Sequence, residues 1–257
     1  MTDSRPPAEI EVFDNPRLVA KAAADLFVDR ASAATRATGR VVVALAGGST
    51  PNALYDLLAT EEYAGRIDWP HVEVFWGDER CVPPDDPASN YRGARERLLD
   101  RVSVDPRRVH RITGESDPFA AAAAYERELR STFATPAGPP PTAPGSRFDL
   151  VLLGMGADGH TASLFPRAAA VREAERWVVA HRVDAVSPWR ITLTPVVINA
   201  AADVLVLVIG RGKASALRRV LEEPSSPDQL PVQAIAPVDG RLRFLVDADA
   251  ACEISKR

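Results

Sequence analysis

Short apolar segments alternate along the chain with segments of helical composition. Six apolar segments are rich in Val, Ile and Leu and lack polar alternation, which is typical of parallel strands covered on both faces. They lie at 41–46, 72–76, 148–154, 177–181, 203–210 and 242–247. The helical segments lie at 15–35, 51–65, 89–102, 118–134 and 212–224. This alternation predicts an α/β fold, a three-layer α/β/α sandwich around a Rossmann-like, mostly parallel sheet.

One proline-rich segment interrupts this pattern. Residues 135–147 contain five prolines and are therefore predicted to form a surface loop or a linker without regular structure. A division into two domains at this point is one alternative. We favour a single domain over residues 1–257, because the strands on both sides are alike and each side supplies candidate site residues.

The bulk composition excludes several classes of protein. The chain has 257 residues, of which 46% are hydrophobic and 26% charged, with a net charge of −4 and no window that gathers Lys and Arg. Nucleic acid is therefore not an expected partner. The apolar segments are too short to span a bilayer and the N-terminus has no apolar core of a signal peptide, so we expect a soluble, cytoplasmic protein.

The cysteines and histidines do not indicate a metal centre. Cys81 and Cys252 are far apart and each lacks a neighbouring cysteine, so neither a disulfide framework nor a zinc site is expected. His71, His110 and His181 do not show metal-ligand spacing with one another. The sequence predicts no metal and no cofactor.

The first candidate site follows the strand at 41–46. Gly47 and Gly48 end the strand, Ser49 and Thr50 offer hydroxyls for a helix N-cap, and Pro51 suits the first helical position. Unpaired backbone N–H groups at such a helix start favour a phosphate. The alternative is an ordinary, well-capped turn between a strand and a helix.

The second candidate is the charged run that follows the strand at 72–76. Asp78, Glu79 and Arg80 come just after its C-terminal end, where open α/β sheets bind their ligands. A solvated surface loop is the alternative interpretation. Asn90 is expected to cap or adjoin the next helix in a structural role.

The third candidate follows the strand at 148–154. Gly154, Gly156 and Gly159 fit the pattern G-x-G-x-x-G, but Pro166 ends any following helix early and the next strand ends in His181 instead of an acid. A dinucleotide site needs both features, so this interpretation fails. What remains is a turn that presents His160, next to the carboxylate of Asp158, as a general base. A histidine that caps a helix start is the alternative.

Two cations complete the candidates. Arg190 precedes a β-rich run, and Lys213 follows a strand and opens a helix, from which its ammonium can reach an anion at the sheet edge. Together with the turn at 47–50, they indicate a small phosphorylated substrate.

Five segments, in order, resemble the 6-phosphogluconolactonase family. They read LAGGSTP, WGDERCVPPDDPASNYR, LLGMGADGHTASLFP, RITLTP and VIGRGKA, and extend from about residue 41 to about residue 214. The resemblance implies the α/β fold shared by glucosamine-6-phosphate deaminases, ribose-5-phosphate isomerases and some acyl-CoA transferases. It also implies hydrolysis of 6-phospho-D-glucono-1,5-lactone to 6-phosphogluconate, the second step of the pentose phosphate pathway.

Glucosamine-6-phosphate deaminases are the nearest alternative. Their corresponding loop resembles D-G-H-I-A-F-N-E-P and carries a glutamate for proton transfer, whereas here Leu164 and Phe165 precede Pro166. The missing carboxylate favours the lactonase, because lactone hydrolysis mainly needs one activated water. A sugar-phosphate-binding protein without catalysis is a further alternative.

These residues suggest a mechanism for the lactonase. His160, oriented by Asp158 or by a backbone group, removes a proton from the attacking water, and backbone N–H groups with Arg80 stabilise the oxyanion. The turn at 47–50 binds the phosphate, with Lys213 and Arg190 neutralising its charge. Asp78 and Glu79 line the substrate site or only hold Arg80. A sugar-phosphate lactone is the expected partner of a monomer or small homo-oligomer.

Overall fold

The structure is a computed structural model that describes residues 8–184 and 187–255. A parallel sheet of six strands forms its centre, in the order β1, β9, β8, β5, β2, β3. These strands are β1 (Glu9–Phe13), β2 (Val41–Leu45), β3 (Val72–Trp76), β5 (Leu150–Gly154), β8 (Asp203–Val208) and β9 (Arg241–Asp247). Every residue of β2, β3 and β8 is buried, as continuous apolar runs predict for strands covered on both faces.

Helices flank this sheet and confirm the predicted α/β sandwich. They are α1 (Pro16–Thr38), α2 (Ser49–Leu58), α3 (Glu61–Ala64), α4 (Asn90–Arg97), α5 (Pro118–Thr132), α6 (Pro195–Ile198) and α7 (Ala214–Glu222). Side chains of Asn15, Ser89 and Asp117 accept hydrogen bonds at the starts of α1, α4 and α5. Within the described ranges, no helix is long and apolar enough to cross a membrane.

A second, three-stranded sheet was only partly predicted. It contains β4 (Asp78–Arg80), β7 (Arg190–Leu193) and β6 (Val178–His181), in that order and with antiparallel pairing. The segment at 177–181 is therefore a strand, but the prediction of a parallel strand in the main sheet is wrong. An apolar run shows that a strand is buried and does not show which partner it pairs with.

The short sheet packs beside the main one through α5. This helix contacts β6 and β7, and the hydroxyl of its Tyr125 donates to the backbone oxygen of Trp76 at 3.0 Å. The same hydroxyl accepts from the Trp76 N–H at 2.6 Å, at the C-terminal end of β3. The short sheet is thereby fixed next to the carboxyl ends of the main strands.

The proline-rich segment has no helix or strand, as predicted. Residues 135–147 form turns and bends that are tied to the neighbouring elements. The guanidinium of Arg40 donates to the backbone oxygens of Thr132 and Gly145, each at 2.8 Å. Strand β5, beyond the loop, pairs directly with β2, before it. The main sheet therefore extends across both halves of the chain.

Candidate active site

The candidate site lies where the strand order of the main sheet reverses. From β2 the chain moves to β3 on one side, and later through β5, β8 and β9 on the other side. The loops after β2 and β5 therefore diverge at the carboxyl ends of two neighbouring strands. Open α/β sheets bind ligands in the crevice that such a divergence leaves.

The loop after β2 leads directly into the start of α2. Gly48 has a φ of +107°, a conformation that favours glycine, and α2 begins at Ser49. The first helical hydrogen bond runs from the Asn52 N–H to the Gly48 oxygen at 3.2 Å. The prediction that Ser49 or Thr50 supplies the cap is wrong, because Gly48 occupies that position and no side chain caps it. The helix start is left open to a ligand.

Glu79 has a structural position in β4. Its side chain is 2% exposed, and its carboxylate accepts from the backbone N–H groups of Asn90 and Tyr91, each at 2.8 Å. It also accepts from the hydroxyl of Ser89 at 3.0 Å. Burial raises the pKa of Glu79 against the opposing effect of these hydrogen bonds. Glu79 thus holds the start of α4.

Asp78 and Asn90 form a buried pair next to the turn at 47–50. The Asn90 side-chain amide donates to Oδ1 of Asp78 at 3.0 Å and to its backbone oxygen at 2.9 Å. A Cβ on Gly47 would lie only 1.7 Å from Oδ1 of Asn90. Glycine is therefore required at position 47, because Asn90 occupies the space that a side chain would need.

His160 is held by a tight turn after β5. The backbone N–H of Gly156 donates to the His160 oxygen at 2.9 Å, and Gly159 has a φ of +79°. No helix follows: residues 155–168, all of them described, form turns and one isolated bridge. The alternative of a histidine that caps a helix is therefore wrong. As expected, the loop carries His160 beyond the end of the strand.

Asp158 contacts the ring and the backbone of His160. Its Oδ1 lies 2.6 Å from Nδ1 and accepts the His160 backbone N–H at 3.1 Å. Burial raises the pKa of Asp158, but the hydrogen bonds from His160 outweigh it and lower this pKa below its ordinary value. A carboxylate only accepts, so Nδ1 carries a proton and Nε2, which has no protein partner among the described residues, is left for a ligand.

One pocket of about 270 Å³ brings most of these residues together. Its lining includes ten residues of particular interest: Gly47, Gly48, Ser49, Thr50, Asp78, Arg80, Asn90, His160, Ala162 and Lys213. Glu79, Asp158 and Arg190 are the predicted site residues that do not line it. Asp158 acts on the pocket through His160.

Lys213 and Arg190 differ in their relation to the pocket. Lys213 immediately precedes α7 and lines the pocket, and burial lowers its pKa while Asp247 opposes this effect. Arg190 lies on β7 opposite Arg80, and burial, followed by the charge of Arg80, lowers its pKa. Its position therefore does not support the expectation that Arg190 neutralises a phosphate in this pocket.

Of the ten pocket residues named above, two were not predicted as site residues. Asn90 was expected to be structural, but its side chain reaches back over Gly47. Ala162 lines the pocket with a φ of +46°, which is uncommon for a residue with a side chain. Both positions lie in the resembling segments, but the local sequence does not reveal their roles, because these depend on contacts between distant segments. A helix start and a lysine in one pocket fit an α/β protein that acts on a small anionic ligand.

The chain belongs to the family described as glucosamine-6-phosphate isomerases/6-phosphogluconolactonase, which matches residues 14–244. It is 38% identical to a 6-phosphogluconolactonase of Nostoc sp. over 247 residues, or 96% of this chain and 98% of the relative. It is also 38% identical to the enzyme of the same name from Streptomyces coelicolor, covering 96% and 95% of the two chains.

A solved structure shows the same fold. The 6-phosphogluconolactonase from Trypanosoma cruzi is 28% identical and superposes with a TM-score of 0.83, covering 99% of this chain and 100% of that chain. The resemblance of the five sequence segments is thereby confirmed at the level of the family and the fold.

Proposed function

We propose that this chain hydrolyses 6-phospho-D-glucono-1,5-lactone to 6-phospho-D-gluconate, the second step of the oxidative pentose phosphate pathway. One observation of the structure carries this proposal: His160, whose ring is held by Asp158, lines the same pocket as the open start of α2. The pocket thus combines a base with an anion-binding site. Relatives 34–38% identical over most of the chain bear the name of this enzyme.

The phosphate binds at the start of α2. The N–H groups of the turn at 47–50 and the positive end of the helix dipole favour a dianion there. Lys213 lines the same pocket and supplies a full positive charge. A charge-assisted contact of this kind contributes about 1.5–3 kcal/mol.

His160 acts as the general base. With Nδ1 held by Asp158, Nε2 removes a proton from a water molecule as its oxygen attacks the C1 carbonyl. The bond between C1 and the ring oxygen then breaks, and the same nitrogen returns the proton to the ring oxygen. A positioned base of this kind typically contributes about 10²–10⁴ in rate.

Arg80 stabilises the oxyanion that forms on C1. Arg80 lines the pocket, and its Nη1 donates to the backbone oxygen of Ala88, which fixes the direction of the guanidinium. Its Nε has no hydrogen-bond partner among the described residues. A cation already held at the site of developing charge needs no reorganisation during the reaction.

The deaminase alternative is disfavoured by the loop after His160. Leu164 is fully buried, and the ring of Phe165 lies on that of His160 with a centroid separation of 4.5 Å. Apolar packing therefore occupies the segment in which a deaminase carries its glutamate, and residues 161–166, all described, contain no acid. A second proton relay has no residue here to support it.

A coupled assay tests this function. The purified chain and its His160→Ala variant are added to fresh lactone, and 6-phosphogluconate formation is followed above the spontaneous rate. We expect the wild type to accelerate opening and the variant to lose about 10²–10⁴ in kcat, the typical contribution of a general base. Glucosamine 6-phosphate in a parallel arm should release no ammonia.

Two results would contradict the proposal. A wild-type rate equal to the spontaneous rate excludes lactonase activity, and ammonia release supports the deaminase. Near-normal turnover by His160→Ala would show that His160 is not the general base, but would leave the lactonase activity of the chain unaffected. Affinity of this variant for a non-hydrolysable phosphorylated sugar acid should stay close to that of the wild type, because the start of α2 is unchanged.

A further inference from the structure

The loop that carries His160 is anchored at one residue to all three strands of the short sheet. The hydroxyl of Ser163 donates to Oδ2 of Asp78 on β4 at 2.6 Å. The backbone N–H of Ser163 donates to Oγ1 of Thr192 on β7 at 3.3 Å. Nε2 of His181 on β6 donates to the Ser163 backbone oxygen at 2.6 Å. Each polar group of Ser163 thus has its partner on a different strand.

The contacts of Ser163 with Asp78 and Thr192 lie in the interior, and the contact with His181 is partly buried. Ser163 is 1% exposed, Thr192 is 0% exposed and Asp78 is 7% exposed. Hydrogen bonds between buried groups are geometrically restrictive, because a displaced partner leaves an unsatisfied polar atom in a low-dielectric environment. The position of Ser163 is therefore fixed relative to the short sheet.

Each oxygen of the Asp78 carboxylate accepts a hydrogen bond in this arrangement. Oδ2 accepts from Ser163 and Oδ1 accepts from the Asn90 amide at 3.0 Å. Asn90 packs over Gly47 at the start of the anion-binding turn. Asp78 therefore links the His160 loop on one side to the turn at 47–50 on the other.

The backbone between His160 and Ser163 needs an external anchor. Ala162 lies between them with a φ of +46°, which costs about 1 kcal/mol or more for a residue with a side chain. Such a conformation persists only where the surroundings determine it. Ser163, the next residue, supplies three determining contacts.

We infer that Ser163 is a positioning residue, which acts through Asp78, Thr192 and His181 to set the place of His160 against the anion-binding turn. This inference rests on the proposed function, because it assigns the orientation of the base in that reaction. Asp78 acts in this arrangement as an acceptor for Ser163 and Asn90, and it exchanges no proton with the substrate.

The test is Ser163→Ala, which removes the hydroxyl and leaves both backbone contacts. A small misplacement of a reacting group reduces the rate by up to about 10²-fold. We expect kcat to fall about 10- to 100-fold, with KM changed by less than about threefold, because the turn at 47–50 and Lys213 are untouched. A folding defect could also lower the apparent kcat, by reducing the fraction of active protein. Hydrogen exchange separates the two cases, because such a defect would not change exchange selectively in the His160 loop.

Thr194→Val is the matched control. The Thr194 hydroxyl is also buried at the short sheet and donates to the Arg176 backbone oxygen at 2.6 Å, and among the described residues no hydrogen bond joins Thr194 to the His160 loop. This variant loses a hydrogen bond of the same length and should keep its kcat within about twofold of the wild type. A kcat for Ser163→Ala equal to that of Thr194→Val overturns the inference.

Asp78→Asn separates positioning from proton transfer. Its amide can accept from Asn90 and donate to the Ser163 hydroxyl, so it should retain at least tenfold more kcat than Asp78→Ala. Equal losses in the two variants, together with a lost limb of the pH–rate profile, would make Asp78 a general acid or base and overturn the inference.

Hydrogen exchange distinguishes this inference from the proposed function. The N–H groups of Thr161 and Leu164 bond within the loop, and Ser163→Ala should accelerate their exchange at least tenfold over that in Thr194→Val. If the wild type does not hydrolyse the lactone but the exchange of these amides is accelerated in Ser163→Ala, the proposed function is wrong and the anchoring of the loop by Ser163 is supported. If their exchange is not accelerated, the inferred role of Ser163 is wrong, whether or not the chain hydrolyses the lactone.

Discussion

At the scale of single residues, the role that we propose for Lys213 is to bind the phosphate, apart from the chemistry at C1. It lines the pocket at the start of α7, whereas the base follows β5, on a different loop. In the proposed function, its ammonium contacts the phosphate, which does not change during the reaction. Such a contact stabilises the bound substrate and the transition state equally.

We predict that Lys213→Ala mainly raises KM. The lost charge-assisted contact, about 1.5–3 kcal/mol, corresponds to roughly a 10- to 150-fold increase. The kcat should change by less than about threefold, because uniform binding does not affect the chemical step. Initial rates across substrate concentrations measure both constants.

Arg211→Ala is the charge-matched control for this variant. Arg211 lies two residues earlier, is exposed and does not line the pocket. Its removal changes the net charge by the same amount, so a general electrostatic effect would raise KM in both variants. Equal KM values for Lys213→Ala and the wild type would contradict the assignment of the phosphate.

At the scale of elements, the sequence predicts buried strands well and their partners poorly. Five of the six apolar segments form strands of the main sheet at the expected places, because a strand covered on both faces needs a continuous apolar run. β1 (Glu9–Phe13) was not predicted, because it lies at the sheet edge, is largely exposed and therefore lacks a continuous apolar run. The short β4 (Asp78–Arg80) was not predicted either, because its charged sequence is typical of a surface loop.

In the site, too, features with a local sequence signal were predicted, and features set by distant contacts were not. The loops after β2 and β5 carry local signals, namely glycines, a helix start and an acid close to a histidine, and both loops line the pocket. Asn90 and Ser163 lie in the resembling segments, but the local sequence does not reveal their roles, because these come from contacts with Asp78, which is far from Ser163 in sequence. Such contacts are set by the folded topology and are not encoded in any short segment.

The loop after β5 tolerates no side chain at Gly156. A Cβ there would lie 2.1 Å from Nδ1 of His160 and 2.7 Å from Oδ1 of Asp158. We predict that Gly156→Ala separates this pair and lowers kcat about 10²-fold, because the base loses its orientation. Steady-state kinetics of the folded variant measure this loss.

Gly212→Ala controls for the replacement of a loop glycine by alanine. Gly212 is exposed, has an ordinary φ, and a Cβ there meets nothing within 4 Å. This variant should keep wild-type kinetics. If Gly156→Ala also keeps them, the contact between His160 and Asp158 does not limit catalysis.

At the scale of the whole molecule, both halves of the chain form one sheet and one site. β2 and β5 are neighbours although the proline-rich segment lies between them in sequence. The anion-binding turn comes from the first half, and His160 and Lys213 come from the second. This arrangement supports the proposal of a single domain, because neither half has a complete pocket alone.

A charged cluster at the outer edge of β3 links the stability of this unit to pH. Nδ1 of His110 lies 2.7 Å from Oε1 of Glu128, and Nε2 lies 2.7 Å from Oε2 of Glu73. The imidazole stacks on Phe75, and Arg108 also bonds to Glu73. Burial lowers the pKa of His110, but the two carboxylates outweigh it and raise the pKa from 6.5 to about 9.

The raised pKa fixes the direction of the pH effect. Protonated His110 is favoured in the folded state, so its stabilisation is complete below pH 6.5 and is lost as pH rises through about 9. We predict that His110→Gln lowers the free energy of unfolding by on the order of 2 kcal/mol at pH 6. At pH 10 the difference from the wild type should nearly vanish, as urea unfolding at both pH values measures.

His71→Gln shows whether this response belongs to the cluster. His71 pairs with Asp68 at 2.9 Å, but both side chains are about half exposed, and solvent screens the pair. Its replacement should change the free energy of unfolding by less than about 0.5 kcal/mol at either pH. A loss in His110→Gln that is the same at pH 6 and pH 10 would mean that His110 stabilises the edge of β3 by stacking on Phe75. A loss confined to low pH would show that the two carboxylates hold a charged imidazole there.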